Sequence, residues 1–275
     1  MRADGTGSYV LGHSEQELAR LEHQSEIFGF ETRQLVYRAG LKPGMHVLDV
    51  GCGVGDVAMI VADIVGPTGS VLGLDRAPEA LSLARDRAEH AGYSWLRYVD
   101  GDLYTFEPSR KFDAVVGRFI LMHVPDRTGA LRRLTRFLNP EATVAFIEMD
   151  IDQAGAVPKL PLLDRCLTWI TATYERVGVE SNMGSKLYTT FRAIGLNPAV
   201  AGMTRMTGGG EAAIYAFTAQ TLTSLLPTME DLGIATAAEV DIDTLADRLL
   251  RDAVAGDHCV MLPRLVMAWA KTAAG

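Results

Sequence analysis

The chain has 275 residues, 48% hydrophobic and 22% charged, with a formal net charge of -8. That length suits one large domain or a core with an added lobe, the composition is that of a globular chain with a sizeable core, and the acidic balance disfavours a nucleic-acid partner. Three scattered cysteines without a CxxC pair fit a reducing cytoplasm, and neither a signal peptide nor a membrane span of roughly 20 apolar residues is read.

From Ser14 the pattern is helical, with Glu17 at capping-box spacing and Leu18, Leu21, Ser25 and Phe28 on one face. A second helix is expected over Glu31 to Ala39. Then a strand–helix rhythm begins. Met45 to Val50 is a strand, Val57 to Val65 a helix, and Ser70 to Asp75 a strand. Pro78 to Ala91 is a helix with Pro early in it, and Leu96 to Asp102 and Phe112 to Phe119 are strands. Arg127 to Phe137 is a helix stopped by Asn139 and Pro140, before a fifth strand from Thr143 to Asp150. Next come a helical face through Leu160, Leu163, Leu167, Ile170, Tyr174 and Val177, and a helix over Lys186 to Ile194. Pro198 to Met206 is a sixth strand and Thr207 to Gly210 a hinge-like turn. Helices fill Glu211 to Leu232 and Asp243 to Ala255, and Cys259 to Ala270 is a last strand despite Pro263.

Strands alternating with helices predict an α/β fold, a Rossmann-like doubly wound seven-stranded mostly parallel sheet. A helical N-terminal lid occupies residues 1–40, the core 41–150, and residues 151–275 add substrate-covering helices, inserted after strands 5 and 6, with the final two strands.

The strongest signal is a strand, then Gly51, Cys52, Gly53, Val54 and Gly55, then a helix. Glycine serves where the chain turns tightly and a ligand nears the backbone, and open α/β sheets bind ligands at such strand ends. A dinucleotide site favours GxGxxG; here the run is GxGxG followed by Asp56, an acidic residue unwelcome beside a pyrophosphate. Asp49, just before the glycines, also favours a cationic ligand. Asp75, about 20 residues beyond the glycines, suits a carboxylate accepting ribose hydroxyls. Arg76 would cover an adenine face, and Asp102 would accept from an adenine amino group.

At these residues the chain resembles the class I S-adenosylmethionine-dependent methyltransferases, and among them UbiE-like small-molecule enzymes. VLDVGCGVGD (Val47 to Asp56) matches their first motif, LGLDRAPEAL (Leu72 to Leu81) the acidic loop, VDGDL (Val99 to Leu103) the adenine motif, and FDAVVGRFILMHVPD (Phe112 to Asp126) the fourth. The resemblance implies S-adenosylmethionine as cofactor, with Gly51 and Gly53 cradling the methionine part, Asp75 holding the ribose, Asp102 and Leu103 reading adenine, and Arg118 lining the methionine tail. It implies a small-molecule methyl acceptor, aromatic or apolar and of secondary-metabolite type, to be methylated on O, N or C.

Methyl transfer needs alignment and exclusion of water, and a base only for a protonated acceptor. His123, after the fourth strand, is the best base candidate, and Glu148 and Asp150 close the fifth strand on the same rim. His13, His23 and Gln24 lie in the opening segment. Phe28, Trp169 and Tyr174, with Phe30, Tyr188 and Phe191, form an aromatic set that could line an acceptor pocket, as could Met203 and Met206. The six histidines are scattered, so no metal is expected. The rivals are a protein or RNA methyltransferase, disfavoured by Gly117 to Ile120 where base-flipping enzymes carry a Pro-Pro motif; an NAD oxidoreductase, which lacks its GxGxxG; and a non-catalytic cofactor-binding protein. A homo-oligomer is compatible with the mobile N-terminal segment expected here.

Overall fold

The computed structural model describes residues 15–274. A long helix, α1 (Glu15–Arg38), precedes the alternating region: β1 (His46–Val50), α2 (Asp56–Val65), β2 (Ser70–Asp75), α3 (Pro78–His90), β3 (Leu96–Asp100), β4 (Phe112–Arg118), α4 (Arg127–Thr135) and β5 (Leu138–Asp150). There follow β6 (Gly155–Val157), α5 (Pro161–Val177), α6 (Met183–Arg192), β7 (Ala199–Met203), β8 (Met206–Gly208), α7 (Ala212–Asp231), the single-turn α8 (Ala237–Val240), α9 (Ile242–Ala255), β9 (Cys259–Met261) and β10 (Arg264–Lys271).

The seven-stranded sheet expected from the sequence is present, in the order β3-β2-β1-β4-β5-β10-β7. Pairings from β3 through β5 are parallel, and β10 runs antiparallel to both β5 and β7. Central strands covered on both faces read as continuous apolar runs, and β4 has four consecutive buried residues from Ala114 to Gly117. Helix signals work as chemistry predicts. Pro78 and Pro161 stand in the first turns of α3 and α5, and the Asp126 side chain caps α4 by accepting from the Gly129 N–H at 2.8 Å. No helix among the described residues is long and apolar enough to cross a membrane.

Four local expectations are corrected. The opening segment is one helix, not two. Its inward stripe (Gln24, Ile27, Phe28, Glu31, Thr32, Leu35, Val36) crosses Gly29 without losing the helical period, so burial carries the helix past a poor helix former. Asn139 and Pro140 do not end a helix before the fifth strand but lie inside β5, where the register with β4 shifts between Phe112 and Ala114. Such a bulge tolerates a residue without an N–H. The expected sixth and last strands each divide. Met206–Gly208 and Cys259–Met261 leave the large sheet and pair with β6 in a small antiparallel sheet, ordered β6-β9-β8. The chain crosses between the sheets at Thr204 and Arg205 and again at Leu262 and Pro263, where the Leu262 N–H donates to the Arg205 carbonyl at 3.0 Å. Thr207 and Gly208 are therefore strand rather than hinge.

Candidate active site

β1 lies between β2 and β4, so successive connections leave it in opposite directions, and a crevice opens above the carboxyl ends of the strands. A continuous cavity of about 270 Å³ occupies that crevice. The turn after β1 forms its floor. Gly51 has φ +65°, and a Cβ there would stand 2.7 Å from the Ile120 side chain. Gly55 has φ +89°, and a Cβ would collide with the Tyr98 hydroxyl. The third glycine of the run thus makes room for a tyrosine of β3. A Cβ on Gly53, by contrast, would meet only open space.

The acidic groups are arranged around this turn. Asp75 accepts from the Gly53 N–H at 2.8 Å through one oxygen and from the Ala77 N–H at 3.0 Å through the other. It therefore shapes the glycine turn as well as facing the cavity. Asp102 accepts from the Tyr104 N–H at 2.7 Å, and Leu103 and the exposed Arg76 also line the cavity. Asp49 is 1% exposed and lines the floor, with no hydrogen-bond partner for either carboxylate oxygen among the described residues. Burial pushes its carboxyl well above the usual range, opposed by the Arg118 charge and, more weakly, by the Ala58 amide, and reinforced by Asp75 and Asp56. A buried carboxylate left open in this way calls for a donor or a cation.

Asp56 behaves otherwise than its sequence position suggests. Its carboxylate bridges Arg87 at 2.8 Å and Arg118 at 3.0 Å. Two guanidinium groups match that charge, so Asp56 by itself is no repellent to a phosphate. Arg118 also donates to the Thr32 hydroxyl at 3.0 Å, tying the end of β4 to α1. It lines the cavity, but its donors face Asp56 and α1.

His123 lines the cavity from the 3-10 turn after β4. Burial lowers its pKa to about 4, and the Arg20 and Arg76 charges act in the same direction, so the imidazole is neutral at physiological pH. Phe28 and Tyr174 also line the cavity, whereas Glu148, Asp150 and Trp169 do not. Glu148 is fully buried behind the turn, where its carboxylate accepts from the Ile120, Leu121 and Met122 N–H groups at 3.1, 2.7 and 3.4 Å. Burial pushes this acid up to about 8 against the three amides, which favour the charged form. Its place is to hold the turn that carries His123, not to meet an acceptor. Glu148→Ala is accordingly expected to cost about 3 kcal/mol by stranding buried amides, measured by urea unfolding; a loss below about 0.5 kcal/mol would sink this role. Asp150 is likewise taken up, by Ser185 and by Arg264 at 2.6 Å.

Trp169 is a further correction. The face of α5 turned to the cavity carries Leu163, Leu167, Ile170 and Tyr174, and Trp169 lies about 100° around the helix from Ile170. Its ring stacks beneath Arg165 instead, 4.9 Å away. Phe30 and Tyr188 are exposed, Phe191 is core, and neither Met203 nor Met206 reaches the cavity. From the opening segment Gln24 reaches it, with Arg20 donating to its amide oxygen at 3.0 Å. His23 contacts Gln220 of α7 at 3.0 Å, and His13 lies outside the described residues.

Sequence reasoning missed the wall made by α7. Ile214, Phe217, Thr218 and Thr221 face the cavity at i, i+3, i+4 and i+7. That spacing was legible, but two threonines hide the stripe from a search for apolar residues. Met122 and the crossing segment Val260 to Pro263 were missed too, since only the sheet crossover brings the latter over the strand ends.

A family model described as "Methyltransferase domain" matches residues 41–192, more than half of the chain. The chain belongs to this methyltransferase family. A 2-phytyl-1,4-naphthoquinone methyltransferase of Synechococcus elongatus is 40% identical over 119 residues, covering 42% of this chain and 51% of that protein. An aklanonic acid methyltransferase of Streptomyces sp. is 36% identical over 138 residues, 50% of this chain and 62% of that one. The chain thus spans about half the length of the first curated relatives it matches. A phosphoethanolamine N-methyltransferase of Haemonchus contortus, solved with S-adenosylhomocysteine, superposes with a TM-score of 0.60 at 17% identity, covering 98% of this chain and 60% of that one; this likeness concerns the fold.

The residues of this methyltransferase fit S-adenosylmethionine. The unpartnered Asp49 and the acidic Asp75 and Asp102 face the cavity. They complement an ammonium, a ribose diol and an adenine amine better than they would a pyrophosphate.

Proposed function

We propose that this methyltransferase transfers a methyl group from S-adenosylmethionine to a small, largely apolar molecule. The observation that carries this is Asp49, a buried carboxylate with both oxygens open at the floor of the cavity. Asp49 and the glycine turn would hold the amino-acid part of the cofactor, Asp75 the ribose hydroxyls, and Asp102 and Leu103 the adenine. Arg76 would cover the adenine, and Arg118 would brace the turn through Asp56. When bound, the cofactor supplies an electrophilic methyl group on a sulfonium; the rest of the site needs to orient the acceptor and keep water out.

Phe28, Tyr174 and the α7 face would bind the acceptor's apolar body, and His123 would take the proton of an acceptor hydroxyl. The relatives named for naphthoquinone and aklanonic acid point to ring-bearing acceptors. His123→Gln is expected to lower kcat about 100-fold with cofactor affinity unchanged, as for a general base. Because the His123 pKa is lowered to about 4, activity limited by its protonation should stay level from pH 8 to pH 5.5 and fall only toward pH 4. A fall centred near pH 6.5 would contradict a desolvated imidazole. The reading as a whole is tested by calorimetric titration with S-adenosylhomocysteine, with NAD as comparison. Micromolar binding of the first and none of the second is expected, and the reverse would overturn it.

A further inference from the structure

The cavity is divided by charge. Its acidic lining residues, Asp49, Asp56, Asp75 and Asp102, all sit on β1, β2 or α2 or just past the end of β3. Past Arg118, which is turned to Asp56, the part over the ends of β4 and β5 is walled by α5, α7, the segment Val260 to Pro263 and the turn bearing His123. Among the described residues lining that part there is no Asp, Glu or Lys. The buried acid behind it, Glu148, does not reach the cavity and is engaged by three amides. Arg20 on α1 lies 5.7 Å over the Phe217 ring of this wall, and Arg76 acts with it on His123.

The polar atoms on this wall have a defined sense. Thr218 donates its hydroxyl proton to the Ile214 carbonyl and Thr221 to the Phe217 carbonyl, each at 2.9 Å. Both therefore present oxygen lone pairs to the cavity and have no proton left to give. The aromatic surface beside them is built from Phe28, packed edge-to-face on Phe119 at 5.9 Å and on Phe217 at 5.8 Å.

We propose that the acceptor part of the cavity selects an uncharged, hydroxyl-bearing ring compound and rejects an ammonium. This rests on the methyltransferase reading above and adds the charge and hydrogen-bonding sense of the acceptor. An ammonium entering here loses its hydration and finds no carboxylate among the described lining residues of that part. A hydroxyl group can donate to the Thr218 and Thr221 oxygens as an ammonium would, but gives up far less hydration in doing so.

The test is calorimetric titration of the full chain, saturated with S-adenosylhomocysteine, with 2-naphthylmethanol, 2-naphthylmethylammonium and 2-naphthoate, three probes of similar shape and different charge. The alcohol should bind most tightly, about 30-fold better than the ammonium. Thr218→Val with Thr221→Val, which keeps shape and removes the acceptors, should weaken the alcohol about 5-fold and leave S-adenosylhomocysteine affinity unchanged. Tightest binding of the ammonium or the carboxylate overturns the proposal, as does binding of none of the three. Failure of S-adenosylhomocysteine itself to bind would instead remove the methyltransferase reading, and the same three titrations on the chain alone would still decide the charge preference.

Discussion

Asp75→Ala is expected to weaken S-adenosylhomocysteine binding by at least about 100-fold. Charge-assisted hydrogen bonds are worth roughly 1.5–3 kcal/mol each, and a carboxylate facing a ribose diol makes two of them. The substitution also acts on the protein, because Asp75 holds the Gly53 and Ala77 amides at 2.8 and 3.0 Å. Without it the glycine turn loses the partner that fixes its approach to the ligand. Asp75→Asn separates the two contributions. It keeps one acceptor oxygen and similar volume, so it should retain part of the turn and lose the charge, giving an intermediate affinity. Calorimetry with circular dichroism on each variant checks this. Affinity within about 3-fold of the parent in a folded Asp75→Ala protein would remove Asp75 from the ribose site.

The second large effect is on stability. Asp56→Ala is expected to cost about 3–5 kcal/mol, since it leaves the guanidinium groups of Arg87 and Arg118 without the carboxylate they share. Arg118 is the more exacting partner, its side chain only 6% exposed against 25% for Arg87. For a chain of this size such a loss lowers Tm by roughly 10 °C. Thermal melts followed by circular dichroism read it directly. A decrease below about 2 °C would mean that water or neighbouring groups replace Asp56 at little cost. The same variant should weaken S-adenosylhomocysteine binding less than Asp75→Ala, because Asp56 acts on the cavity through Arg118 rather than by offering open oxygens of its own.

Much of the site was legible in the sequence because it is local. A ligand turn between a strand and a helix needs glycine at fixed positions, and a carboxylate at the end of the next strand follows from the length of one βα unit. So Asp49, Asp75, Asp102 and His123 all face the cavity. Five strands of the seven-stranded sheet were legible for a similar reason: period and punctuation alternate from Met45 to Asp150.

What tertiary structure alone decided was direction and partnership. Glu148 and Asp150 sit on the same strand end as a rim residue would, yet the strand delivers both to protein partners, three amides for one and Ser185 with Arg264 for the other. Trp169 and Ile170 are neighbours in sequence, but the 100° step of a helix puts one in the cavity wall and the other outside it. The charge on Asp56 is visible in the sequence; its two arginine partners come from α3 and β4, 31 and 62 residues away, and only the fold brings them together. By itself the sequence determined which residues could turn, pair and bind within one strand–helix unit. The crossing of the chain between two sheets, the placement of the α7 stripe over the cavity and the choice of partner for each buried charge depend on contacts between distant segments, which no local pattern encodes.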